Sequence, residues 1–363
     1  MEECLSKKCK TLFSFDTVLC ADSVEWCPHK PFQNVFVCAN YELEQDHSNG
    51  SSGKKRVGKI QLFSICPQNG LKLHDTIDTS GVLDQKWCMH KVNNKSLLGV
   101  VNADKKVEVY SLNAELLVLE LLSSYEIDAD TSETLILSLD WSSAINKSSE
   151  PEIICSDSKG NVHLVQLSNE TILLKESYHC HEFEAWIAGF YYWNTNIFFS
   201  GGDDSLLLKF DTRVGNLPVS KNRSHGAGVT SIHSNISKEN ILATGSYDEH
   251  IRLWDIRNMR AEMNLIKMPG TLWRLKWDPF DQNYLLAACM LGGVHIVDVA
   301  DIHQLNIAGS YHEHKNISYG ADWCHLDTES CDKFEQDGQF IIGTCSFYDH
   351  LLCVSKFDSK KKD

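Results

Sequence analysis

Proline is scarce in this chain, 7 in 363 residues, and basic residues are outnumbered, 34 Lys and Arg against 49 Asp and Glu. Little proline beside an ordinary apolar share, 42%, excludes a disordered or proline-rich chain. No apolar run approaches the roughly 20 residues that a membrane-spanning helix needs, so no membrane insertion is expected. The start, MEECLSKKCK, lacks the apolar core of a secretory signal, and a cytoplasmic protein is the expectation. The deficit of positive charge, net -15, excludes a binder of phosphate backbones and removes nucleic acid as a partner. It favours cationic partners, through steering rather than tight contact. CxxC spacing is also missing among the 14 cysteines, which leaves a structural zinc site little support. Cys38, Cys155, Cys289 and Cys345, inside expected strands, and Cys27, Cys88 and Cys324 read as reduced, small core residues. No metal and no cofactor are called for, and a monomer is expected.

What is present is a repeated hairpin. The stretch ILATGSYDEHIRLWD, Ile241 to Asp255, alternates apolar with small or polar residues in two short runs joined by a polar turn, and stops at Trp254-Asp255. One hairpin cannot bury its apolar face alone. The same local setting recurs at Trp26, Trp87, Trp141, Tyr191, Ile232, Trp277 and Trp323, each followed by an apolar run, a small-residue turn and a second apolar run. Seven such units, packed radially, shield one another's edges. The chain therefore resembles a seven-bladed WD-repeat β-propeller, all-β, a single domain over residues 1–363. The blades span about residues 21–64, 81–122, 135–174, 181–213, 225–258, 270–300 and 316–355. The lone run Thr11 to Phe15 is expected to close blade seven as an N-terminal strand.

Two stretches interrupt the pattern. Tyr41 to Lys59 reads as a Ser/Gly-rich polar insertion where a tight turn belongs, and Asp327 to Asp337 as an acidic one. Glu115 to Leu122 suits an outer strand as well as a short helix. Likeness to WD repeats implies a buried hydrogen-bonded set of His225, Thr244, Trp254 and Asp248, structural in role.

In such a propeller the turns between second and third strands and the segments leading into each first strand share one face. That gathers Glu184, Trp186, Asp203, Asp204, Tyr247 to His250, Trp273, Arg274, Tyr319 and Tyr348 to His350 around one rim. SYDEH and SFYDH echo each other, each ending in a His. A His beside carboxylates can act as general base or simply hold a turn. Ser246 and Ser346 lie in no GxSxG elbow, so a Ser-His-Asp triad has little support. Trp186, Trp273, Tyr319 and Tyr348 suit either packing or a cage for a quaternary ammonium.

ADSVEWCP, SLDWS, HEFEAWIA, SGGDD, ILATGSYDEHI, LLAACM, YGADW and TCSFYDH together resemble the WD-repeat diphthine methyl esterase family of the diphthamide pathway, the WD-repeat protein 85 family. The resemblance implies hydrolysis of the methyl ester of a methylated diphthine on translation elongation factor 2, ahead of the final amidation, with that factor and the amidating enzyme as partners. Diphthine carries a trimethylammonium beside the ester, which suits an acidic, aromatic rim. On rim position, His250 or His350 is the expected base, with Asp248, Glu249 or Asp349 orienting it. Glu184, Trp186, Trp273, Arg274, Tyr319 and Tyr348 are the expected substrate contacts. The competing expectation is a non-catalytic scaffold or adaptor, serving amidation, a ubiquitin ligase or trafficking.

Overall fold

The computed structural model describes residues 9–46, 53–127, 133–334 and 339–358. These form seven antiparallel sheets, six of four strands and one of five, whose fifth strand branches off the main path of four. The innermost strands are Ala21–Trp26, Val82–Trp87, Ile136–Trp141, Ile187–Phe190, Val229–Ser234, Arg274–Trp277 and Ser318–Trp323. Each contacts the innermost strands of its two neighbours, including first against last, so the ring is closed. The chain is thus a seven-bladed β-propeller.

Closure is made by the N-terminal strand Cys9–Asp16, which pairs antiparallel with Leu351–Phe357 from Cys9 opposite Phe357 to Asp16 opposite Leu351. Seven hydrophobic clusters lie among the described residues, one in every seam. The cluster between blades 7 and 1 joins Val24, Trp26 and Phe63 to Ile341, Leu352 and Val354. The core therefore sits between sheets, where flat apolar faces meet, and each blade depends on both neighbours. Cys27, Cys38, Cys88, Cys155, Cys289, Cys324 and Cys345 are all buried there, as small apolar side chains.

The repeat tryptophans stitch the seams as well as filling them. The indole N–H of Trp87 donates to the Glu25 carbonyl at 3.1 Å, that of Trp141 to Lys86 at 2.9 Å, that of Trp277 to His233 at 3.0 Å and that of Trp323 to Lys276 at 3.0 Å. In each case the acceptor lies in the preceding blade, one residue before its repeat position for Glu25, Lys86 and Lys276 and one residue after it for His233. A buried indole N–H needs such a partner, which is why Trp and not Phe recurs here.

One sequence expectation changes and one left open is resolved. Much of the insertion from Tyr41 to Lys59 is strand: Glu42–Asp46 pairs with the long strand Gly53–Cys66, which itself pairs with Gly70–Ser80. The register sets Glu44 opposite Lys55, an opposite-charge cross-strand pair that favours a ladder over a loose loop. Residues 47–52 lie outside the described residues. The run from Glu115 to Leu122 resolves as an outer strand, Val118–Glu126, and the acidic insertion contains a short helix, Thr328–Cys331, capped by Asp327. Residues 335–338 of that insertion lie outside the described residues.

Candidate active site

The segments leading into the inner strands touch the turns between second and third strands, which fixes them on one face. The Gly226 N–H donates to the Asp248 carboxylate at 2.8 Å, the Lys315 N–H to Asp349 at 2.9 Å and the Asp203 N–H to the Glu184 carbonyl at 2.9 Å. On this face a string of rings crosses the channel mouth. Trp186 meets Trp273 edge-on at 5.7 Å and Tyr247 at 6.1 Å, and Trp273 stacks on Tyr319 at 4.9 Å. Tyr319 continues to Phe347 at 5.2 Å, and Phe347 to Tyr348 at 4.9 Å and Tyr41 at 6.1 Å.

Carboxylates border the rings. The Trp186 indole donates to Asp203 at 2.9 Å. Burial, followed by Tyr319, Asp203 and Glu184, raises the Tyr247 phenol well above its ordinary range. Burial, with Asp22 and Tyr348 adding to it, pushes Tyr319 up to about 12. Both phenols therefore stay protonated and neutral in an acidic setting. The Trp273 indole nitrogen is buried with no partner.

Below the mouth, charged side chains from the inner strands face one another. Arg274 and Lys86 both reach Asp84, at 3.1 and 3.0 Å, while Lys276 pairs with Glu25 at 2.6 Å and lies 3.9 Å from Asp322. Asp140 accepts from the Tyr192 hydroxyl at 2.9 Å. Apart from Asp84, these residues, with His233, line a cavity of about 90 Å³, room for a few waters. The cations do not cover every acid. Burial, reinforced by Asp84 and opposed by Arg274, pushes Asp22 up to about 8, and one of its oxygens has no partner.

The residues expected from the sequence fall into three groups. Trp186, Trp273, Tyr319 and Tyr348 join the string of rings, Glu184 borders it, and Arg274 sits just inside the channel on Asp84. Asp248 is taken up by its own turn and neighbours: it accepts from Gly226, from Arg252 at 2.8 Å and from the His250 N–H at 3.0 Å. Of the expected structural set three members are joined, His225 to Thr244 at 2.9 Å and Trp254 to Thr244 at 2.9 Å, while His225 Nδ1 has no hydrogen-bond partner and Asp248 stands outside the chain of bonds. Glu249 pairs outward with Lys267 at 3.5 Å, and His250 Nδ1 lies 2.7 Å from the Asp248 carbonyl, so this His braces its own turn. Asp349 holds Lys315 N–H and the Ser346 hydroxyl.

His350 stands apart from its counterpart in blade 5. It occupies the seam between blades 7 and 1, with Nε2 3.7 Å from Cys20 Sγ, and its ring, the thiol and the Glu42 carboxylate each place a ligand-type atom within 4.8 Å of the others. Cys20, Glu42, Asp22 and Phe347 were not singled out by the sequence as site residues, and Tyr247 was placed on the rim without a role. A signal existed for two of them, since Tyr247 and Phe347 follow the Ser in the echoing turns SYDEH and SFYDH. The channel residues had one too: Glu25, Lys86, Asp140, Lys276 and Asp322 each immediately precede a repeat Trp. Cys20 and Glu42 come together only through closure of the ring.

Comparison with known proteins follows this geometry. A Mus musculus protein named diphthine methyltransferase is 39% identical over 336 residues, covering 87% of this chain and 70% of its own length. The chain belongs to the diphthine methyltransferase family. A Homo sapiens member is 38% identical over 345 residues, 88% of this chain and 75% of that one, and a Dictyostelium discoideum homologue 37% over 371, 92% and 95%. No protein-family model matches the chain. A chain of the mitotic checkpoint complex crystal structure superposes with a TM-score of 0.69 at 14% identity, over 96% of this chain and 92% of that one. That likeness concerns the propeller fold alone.

Proposed function

We propose that this protein acts in diphthamide biosynthesis by hydrolysing the methyl ester of methylated diphthine on translation elongation factor 2, giving diphthine for the final amidation. The observation that carries the reading is the string of rings at the channel mouth, bordered by Glu184 and Asp203, with Asp22 just below. A trimethylammonium cannot accept or donate hydrogen bonds, so π faces and nearby carboxylates are what recognise it. Membership of a family named for diphthine supports the choice of substrate.

With the cation on Trp273, Tyr319 and their neighbours, the ester extends along the rings toward Phe347 and the seam where His350, Glu42 and Cys20 meet. Water activated there attacks the ester carbonyl carbon and gives up a proton. The tetrahedral oxyanion collapses, methoxide leaves and is protonated to methanol, and the carboxylate remains on diphthine. His350, not His250, is the imidazole assigned to this seam, because His250 is committed to the Asp248 carbonyl.

Purified protein is mixed with methyl-ester elongation factor 2, and methanol and the mass of the modified peptide are followed. The expected result is release of methanol with loss of one CH2 unit from the peptide, slowed by roughly 100-fold or more in His350→Asn and little changed in His250→Ala. Tight binding of the factor without methanol release would instead make the propeller a scaffold.

A further inference from the structure

We infer that Cys20, Glu42 and His350 form a mononuclear site for a zinc-class divalent cation at the seam between blades 7 and 1. Its catalytic role rests on the esterase reading, which it deepens by naming what activates the water.

Three elements deliver the ligands. Cys20 ends the segment between the closing N-terminal strand and the inner strand of blade 1, Glu42 opens the strand Glu42–Asp46, and His350 ends the turn before Leu351–Phe357. Thiol, carboxylate and imidazole atoms lie within 4.8 Å of one another. A tetrahedral zinc with Zn–S of about 2.3 Å and Zn–N of about 2.0 Å sets its S and N ligands about 3.5 Å apart. Cys20 Sγ and His350 Nε2 are 3.7 Å apart, so one ion fits between them without moving either.

A second observation points the same way. Glu42 Oε2 is buried and has no hydrogen-bond partner, a costly state for a carboxylate oxygen. A buried thiol beside a carboxylate oxygen that receives no hydrogen bond is a ligand set that a divalent ion completes, taking the thiol as thiolate. Three protein ligands leave a fourth position for water, the arrangement of catalytic rather than structural zinc. Water bound there loses its proton to solvent near neutral pH, and the resulting hydroxide attacks the ester carbonyl as described above.

The site is compatible with the missing CxxC motif. CxxC spacing marks zinc sites built from one short segment. Here the ligands are brought together by ring closure, and no linear pattern records them.

The test uses the full-length protein stripped with a chelator and reloaded with Zn²⁺ or Co²⁺. One equivalent of Zn²⁺ should bind, and Co²⁺ should give a thiolate-to-metal charge-transfer band in the near ultraviolet. Cys20→Ser should abolish that band, and His350→Asn, an isostere tolerant of the left-handed turn at this position (φ 55°), should weaken Zn²⁺ by roughly 100-fold or more. Both variants are checked for native circular dichroism, so a folding failure is recognised as such. Absence of stoichiometric binding, or a band that survives Cys20→Ser, overturns the site. Stoichiometric binding that depends on Cys20, with no methanol release from the loaded protein, keeps the site and overturns the esterase reading instead.

Discussion

Trp273 stacks on Tyr319 across the seam between blades 6 and 7, with ring centroids 4.9 Å apart and planes 26° from parallel. Trp186 meets the same indole edge-on at 5.7 Å, so Trp273 links Trp186 to Tyr319. A cation over this group gains about 0.5–2 kcal/mol per aromatic face, most where water is excluded. Trp273→Leu is expected to raise KM for methyl-ester elongation factor 2 by roughly 2- to 30-fold, at about 1.4 kcal/mol per factor of ten, with kcat little changed. Steady-state methanol release measures both, and an equal fall in kcat would place Trp273 in the chemistry rather than in binding.

The Asp203 carboxylate that receives the Trp186 indole gives a second test at the same mouth. Asp203→Asn keeps a hydrogen-bond acceptor and removes the charge. Affinity for tetramethylammonium, a substrate fragment with no ester, should fall by a few-fold, and the fall should shrink as salt is raised toward about 1 M. A salt-independent loss would assign Asp203 to holding the indole alone.

The sequence made the ring legible because its periodic signal is a physical requirement. Each repeat Trp fills a seam, and Trp87, Trp141, Trp277 and Trp323 also find a carbonyl in the preceding blade, although Trp26 fills its seam with its indole nitrogen unpartnered. The rim aromatics were readable for the same reason, since their place in the repeat fixes the face on which they emerge. The distinction between His250 and His350 was not. Their turns look alike as strings, yet one imidazole braces its turn against Asp248 while the other faces residues near the opposite end of the chain. Neither Cys20 nor Glu42 carries a local signal, because their neighbourhood exists only once blade 7 closes on blade 1.

Closure itself is measurable through Phe15, whose ring meets Phe63 edge-on at 5.0 Å and belongs to the cluster of the closing seam. Phe15→Ala should cost about 3 kcal/mol or somewhat less, since the ring is only partly buried. Removing residues 1–16 leaves Leu351–Phe357 paired on one side only, with its outer edge open, and should leave a protein that aggregates or elutes as a broad expanded species. A sharp monomeric peak with an unchanged melting temperature would show that the ring holds without its latch.

The buried titrating groups give stability a maximum in pH. Burial lowers His29, His225, His295 and His314 to about 4 and His325 to about 3, below the ordinary value near 6.5. The unfolded chain then binds protons that the folded one refuses, so this contribution is present above about 6.5 and is lost as pH falls toward 4. Asp22 runs the other way: raised to about 8 from an unfolded value near 3.9, it favours the fold at low pH and loses that contribution as pH rises through 8. The melting temperature should therefore peak near pH 6–7 and fall on both sides, more steeply on the acid side, where several histidines act together. A flat profile between about pH 5 and 7 would mean these imidazoles are not held neutral.

Inside the channel, Lys276 is the cation nearest both Glu25 and Asp322, at 2.6 and 3.9 Å. Removing one partner of a buried ion pair typically costs about 3–5 kcal/mol, because the other charge is left without compensation. Here Glu25 has an escape, since burial already raises its carboxyl against the pull of Lys276 and it can take up a proton. Lys276→Met should therefore be strongly destabilised at about pH 8 and much less so at about pH 5.5, and the double variant with Glu25→Gln should recover much of the loss at the higher pH. Urea unfolding of the single and double variants at both pH values measures the coupling. A loss in Lys276→Met that is the same at both pH values would show that its cost comes from lost packing of the lysine stem and not from a stranded carboxylate.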